Sequence, residues 1–232
     1  MANNTYEATG VLHLERVTPV IRALFNGFNL DETDPGNGQA YIAIADEAEH
    51  TWERVLEDLT TLATQLGIPT PGKDKDDENA HPMDIIFEQL AKHFGASYNE
   101  ELDGLIENHD FDGDGNADLE TLFFLANCFN DGHNLTAIEY EGCWYCSKLR
   151  LFEFGGDAAY LSKEIQLYST SSTARLIGPS LRHAIVSNDV NDAAKIITQK
   201  IQAFLTRIPN KKFRTHVTKE IAFSLINSTA LS

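Results

Sequence analysis

The chain has 232 residues, 42% hydrophobic and 23% charged, which is enough apolar content to bury a substantial core and too much for wholesale disorder. Its formal net charge of −17 is unevenly placed: residues 1–131 hold 27 acidic and 6 basic residues (−21), whereas residues 132–232 hold 8 and 12 (+4). A local negative field of that kind disfavours nucleic acid and anionic membranes as direct partners and attracts cations or a basic protein surface.

The first residues lack the basic and apolar segments of a secretory signal, and no apolar run approaches the roughly 20 residues that span a bilayer. The three cysteines are too few and too clustered for a disulfide framework. These features predict a soluble, cytoplasmic protein.

In chain order, the alternation between Tyr6 and Val17, centred on Val11-Leu12-His13-Leu14, predicts a first strand. Thr18-Pro19 is an N-cap followed by a first helical residue, opening a short helix with Val20, Ile21, Leu24 and Phe25 on its apolar side. The polar run 31–38 reads as a turn, and Gln39 to Ala45 as a second strand. Trp52, Val55, Leu56, Leu59, Leu62, Ala63 and Leu66 then recur at helical spacing. Residues 1–70 thus predict a small α/β unit.

Residues 67–79, with two prolines and a charged run, predict a solvated connection. Ile85, Ile86, Leu90, Ala91 and Phe94 mark a helix closed by Gly95, and Ser97-Tyr98-Asn99-Glu100 reads as a capping box opening another. A helix from about Asp118 to Asn130 completes an acidic helical segment over 80–131. Beyond it, the runs 135–145, 149–154 and 158–168, separated by Ser147-Lys148 and Gly155-Gly156, predict an antiparallel meander. Ser171-Ser172-Thr173 caps a helix that Gly178-Pro179 should break. The strongest amphipathic stripe, Ala193, Ile196, Ile197, Ile201, Phe204, Leu205 and Ile208, follows a cap at Asn188 or Asp189, and a last helix over about 214–226 points Val217, Ile221 and Leu225 inward. Residues 132–232 therefore read as a β-meander packed by helices. The expected fold class is α+β, as three segments or one continuous domain.

One stretch makes a specific chemical statement. In Asp110-Phe111-Asp112-Gly113-Asp114-Gly115-Asn116-Ala117-Asp118-Leu119-Glu120, three carboxylates at alternate positions precede a glycine that can turn sharply. Over residues 110–121 it resembles the EF-hand calcium loop and the wider group of Asp-x-Asp-x-Asp-Gly loops. The resemblance implies Ca²⁺ held by Asp110, Asp112 and Asp114, by the backbone carbonyl of Asn116, and by Asp118 directly or through water. The stretch departs from the family at three points. The twelfth position is Thr121 rather than a bidentate Glu, with Glu120 one residue early and about 100° away around a helix. The eighth position is Ala117, where the family has a branched apolar residue, and no second loop of the kind occurs. Without a metal, the same residues read as an Asp/Gly turn capping the next helix through Asn116 or Asp118.

Cys128, His133, Cys143 and Cys146 offer four soft ligands, the number a tetrahedral zinc site needs, in a spacing that matches no named zinc module. The Cys-x-x-Cys pair lies in a strand-like context rather than at the helix start that redox chemistry favours, so packing is the competing reading. The sequence has no glycine-rich phosphate loop, Gly-x-Ser-x-Gly elbow or His-Glu-x-x-His helix. His109 and His133 are the acid–base candidates. The composition favours a non-enzymatic interaction protein whose acidic half binds a basic partner. An inhibitor imitating the charge of nucleic acid fits this class; a calcium-responsive protein and an enzyme with an unfamiliar site are the alternatives. The basic bias of the last helices, from Lys195 to Lys219, reads first as a solvated helix surface, and docking against the acidic half is a more economical alternative than phosphate binding.

Overall fold

The computed structural model describes residues 4–44, 50–69, 81–97, 99–108, 115–148 and 150–229. Its first strand, β1 (Asn4–His13), alternates: Ala8 and Leu12 are buried on one side, and Thr9 faces solvent on the other. That alternation commits β1 to a sheet with one covered face. It pairs antiparallel with β3 (Gln39–Ile44) on one edge and with β4 (Ala137–Cys146) on the other. β2 (Asp31–Pro35), β5 (Phe154–Ser162) and β6 (Gln166–Thr170) complete six strands in the order β2-β3-β1-β4-β5-β6. The opening α/β segment and the later meander therefore share one antiparallel sheet, joined along the full length of β1, in an α+β fold.

Five helices cover the inner face. In α1 (Pro19–Phe25) the Thr18 hydroxyl accepts from the Ile21 N–H and Pro19 fills the first turn, as the sequence predicts. A single 3-10 turn, Asn26–Phe28, follows it. Thr51 caps α2 (Trp52–Gln65), which turns Trp52, Val55, Leu59, Leu62 and Ala63 inward and leaves Glu53 and Glu57 outside. Gly95, at φ 77, ends α3 (Pro82–Phe94) in the left-handed conformation that a side chain would disfavour. The helices α4 (Glu100–Asn108) and α5 (Leu119–Cys128) complete the layer. Leu12, Ile42, Ile138 and Leu161 of the sheet meet Phe25, Phe28, Phe87 and Phe129 in one core, and each such side chain contributes about 1.5–3 kcal/mol by leaving water.

Some local expectations are corrected. Residues 31–35 form an exposed edge strand rather than a turn, because their register with β3 is irregular and their side chains need no burial. The cap of α4 is Asn99, whose side-chain carbonyl accepts from the N–H groups of Glu101 and Leu102 at 3.0 and 3.3 Å, so the expected capping box at Ser97 is displaced. Residues 150–153 lie in the β4–β5 connection, and Gly155 and Gly156 lie inside β5. Gly155 is required there because the Trp144 ring lies where its side chain would be.

The last three helices, α6 (Thr173–Val186), α7 (Val190–Thr206) and α8 (Lys211–Thr229), form an arm. Pro179 does not end α6; it removes one donor from an exposed stretch of an otherwise continuous helix. The amphipathic stripe of α7 buries only Leu205 fully, leaving Ile197 and Phe204 at 50% and 58% exposure. On α8, Val217 and Ile221 are half-buried and Leu225 is exposed, so the stripe expected to point inward lines an open apolar groove. The end of α7 is tied back to the body by a hydrogen bond from the Gln166 N–H to the Arg207 carbonyl at 3.4 Å, and the start of α6 by the Thr170 and Thr173 hydroxyls, also 3.4 Å apart. The Arg207 guanidinium also lies 4.8 Å from the centre of the Tyr168 ring.

Candidate functional site

The acidic residues of the helical layer converge where α4, α5 and the β5–β6 hairpin meet. α4 is acidic in its first turn at Glu100, Glu101 and Asp103, and α5 carries Glu120 in its own, placements that favour both helices through their macrodipoles. Asp118 has extended backbone and accepts from the Thr121 N–H at 2.8 Å, the N-cap role its sequence position predicts. A groove of about 730 Å³ runs between these elements, with Glu101, Asp118 and Glu120 on its walls, Phe123 and Phe124 among them, and Lys163 as the cation in its lining. A surface of this kind accepts a cationic side chain and packs its aliphatic stem against the rings.

Backbone pairing holds the groove's acidic corner. The Ala117 N–H donates to the His50 carbonyl at 2.7 Å and the Trp52 N–H to the Gly115 carbonyl at 3.0 Å, forming an isolated bridge between Thr51 and Asn116. The starts of α2 and α5 are thereby set side by side. Ala117 is buried at this join.

The sheet adds a row of tyrosines that no motif announced. Tyr168 donates its hydroxyl to Glu120 at 2.7 Å, and Tyr6 donates to Asp157 at 3.0 Å across β4. Burial, reinforced by these carboxylates, raises the pKa of both phenols; Tyr140 is raised by burial and by the charges of Asp157, Glu120 and Asp118. The three phenols stay protonated at neutral pH, and Tyr6 and Tyr168 serve as donors. Only the β-register, which puts Ala8, Gly142 and Asp157 in one row and Tyr140 opposite Ala159, could have revealed this grouping.

Of the candidate calcium ligands, Asp110, Asp112 and Asp114 lie outside the described residues, as does His109. Asn116, Asp118 and Glu120 are described: Asn116 is in the bridge to Thr51, Asp118 caps α5, and Glu120 accepts from Tyr168. The zinc candidates are not brought to one centre. Cys143 and Cys146 project to opposite faces of β4, and Cys146 ends a strand whose nine steps of about 3.4 Å carry it roughly 30 Å from Ala137. Both ring nitrogens of buried His133 are occupied: Nε2 lies 3.0 Å from the Ala126 carbonyl, and Nδ1 accepts from the Leu135 N–H at 2.8 Å. Burial lowers its pKa, so the ring is neutral with its proton on Nε2. The Cys128 thiol, pushed up to about 11 by burial and then by the nearby charge of Glu101, also receives the Asn99 side-chain amide at 3.4 Å. Among the described residues no group of three or more His, Cys, Asp or Glu side chains is arranged to hold a metal.

The ion pairs among the described residues are local: Arg22–Glu32, Arg54 with Glu57 and Asp58, and Arg150–Glu153; His13 Nε2 lies 3.2 Å from a Glu139 carboxylate oxygen across β1 and β4. None joins a cation of the arm to a carboxylate of the helical layer. No helix among the described residues is long and apolar enough to cross a membrane. No protein-family model, curated protein or solved structure matches the chain.

Proposed function

We propose that this is a non-enzymatic interaction protein whose acidic helical layer binds a basic protein surface, with the groove between α4, α5 and the β5–β6 hairpin as the centre of contact. One observation carries the reading. Residues 1–172 hold 32 acidic and 9 basic residues (−23), the arm holds 9 basic and 3 acidic (+6), and no ion pair among the described residues joins the two. A field concentrated on a grooved, partly aromatic surface suits a protein ligand rich in Lys or Arg and speeds its encounter. The form of this function with the most specific chemistry is an inhibitor that occupies the nucleic-acid-binding surface of its target.

The test is capture from native cell extract at 50 and 300 mM salt, with the wild type and with Glu101→Lys/Glu120→Lys. A basic partner retained by the wild type at low salt, released at high salt and not retained by the variant is the expected result, since exposed charges are screened over about 8 Å at physiological ionic strength. Displacement of that partner by added duplex nucleic acid would identify the charge-mimicking form. Equal capture by the two proteins at both salts would refute the proposal.

A second reading has its own observation. α4 ends at Asn108 and α5 begins at Leu119, so the Asp-x-Asp-x-Asp-Gly stretch joins two helices in the order a calcium loop requires, and Asp118 already caps the second. In this reading Ca²⁺ is held by the Asp110, Asp112 and Asp114 carboxylates, while Glu120 stays with Tyr168. Millimolar Ca²⁺ then raises the melting temperature of the wild type and not of Asp112→Ala; an unchanged wild-type melting temperature removes the reading.

A further inference from the structure

Among the described residues no helix layer covers the outward face of the sheet, and its composition is not that of a solvated face. Strand register places Tyr41, Val11, Glu139, Tyr160 and Leu167 in one row across five strands, with Thr9, Glu141 and Ala158 in the next. These residues line an open groove of about 630 Å³, apolar along its floor and acidic at its centre. Phe204 of α7 reaches the rim of that groove, so the arm starts from its edge.

The arm has the complementary defect. Of the large apolar side chains left exposed, Leu176, Ile185, Val190, Phe204, Phe213 and Phe223 all belong to it. On α8 Phe213, Val217 and Ile221 recur every four residues and line an open apolar groove. Apolar helix surface gains stability when it is packed, and here much of it is open to solvent. The arm's charge of +6 opposes pairing with another arm and favours the acidic body.

We infer that a second copy of this chain covers the outward sheet face, with α8 of each copy lying across β3, β1, β4, β5 and β6 of the other in a closed two-fold dimer. The dimensions agree. The 19 residues of α8 span about 28 Å, and five strands at about 4.8 Å spacing present a face roughly 24 Å wide. Two equivalent helix-on-sheet contacts bury on the order of 2,000 Å² in total, the size of a stable interface. The inference concerns the face opposite the acidic helical layer and stands independently of the function proposed above.

The experiment is sedimentation of the full chain between 1 and 100 µM in 150 mM salt. The wild type is expected to be dimeric, whereas Val217→Asp/Ile221→Asp on the arm and Val11→Lys/Tyr160→Lys on the sheet each weaken the dimer at least tenfold while keeping the wild-type circular dichroism spectrum. An equimolar mixture of the two variants restores one of the two contacts and recovers association that neither shows alone. Should either variant fail to fold, Glu139→Lys/Glu141→Lys with and without Lys211→Glu/Lys212→Glu supplies the same test, the second pair rescuing the first. A monomeric wild type at 100 µM overturns the inference. So does a dimer broken by the arm variant but not by the sheet variant, which indicates arm-on-arm pairing. Binding of the arm to anionic phospholipid vesicles in place of dimerisation overturns it as well.

Discussion

His133 shows how far a single side chain can be specified by its surroundings. With no exposed surface, Nε2 donating to Ala126 and Nδ1 accepting from Leu135, the ring has no place for a second proton, so its pKa falls below the ordinary 6.5. The unfolded chain takes up a proton near pH 6.5 and the folded chain only at lower pH. The stability that His133 contributes is therefore complete above about pH 6.5 and is lost progressively as the pH drops toward the folded value. Thermal melts from pH 8 to 5 should show this loss, and nitrogen shifts of the ring should report one neutral tautomer with a midpoint below 6.5. Gly142 makes a second prediction at this scale. The Tyr6 ring lies where its β-carbon would be, on the way to Asp157, so Gly142→Ala must displace a phenol that bridges three strands. The expected cost is about 1–3 kcal/mol in denaturant titration, with the loss reduced in a Tyr6→Leu background.

At the scale of elements, legibility followed the strength of the local chemistry. Thr18-Pro19 and Gly95 each fixed a helix end from a few neighbouring atoms, and the structure keeps both. Gly155-Gly156 was read as a turn because the sequence does not show that Trp144 lies over the neighbouring strand. The α7 and α8 stripes were read as buried because periodicity reports which face is apolar and says nothing of what covers it. The acidic corner was legible in part: the cap at Asp118 is local, whereas the Tyr168–Glu120 bond and the Thr51–Asn116 bridge join residues 48 and 65 positions apart. Asp118→Ala removes the hydrogen bond to Thr121 and should lower stability by about 1 kcal/mol in metal-free buffer, measured by urea titration with an unchanged slope.

At the scale of the whole molecule, two grooves lie on opposite faces. Among the described residues the helical layer carries Glu101, Asp118 and Glu120 around its groove over a continuous apolar core, and the opposite sheet face carries apolar side chains around Glu139 and Glu141 with no helix layer above them. Residues 1–70 and 132–232 are inseparable in this arrangement, since β1 is hydrogen-bonded to β4 over ten residue pairs. A chain cut after residue 131 exposes that whole edge of β1 and should aggregate on expression, whereas a chain cut after residue 210 keeps all six strands and should remain folded, as checked by circular dichroism. The same ladder sets a schedule for biosynthesis. His13 pairs with Ala137, which emerges 124 residues later, an interval of roughly 6–25 s at about 5–20 residues per second. Throughout that wait the nascent β1–β3 pair presents an unfinished edge at the ribosome, where shielding by a chaperone would matter most, and rare codons between positions 45 and 137 would lengthen the exposure.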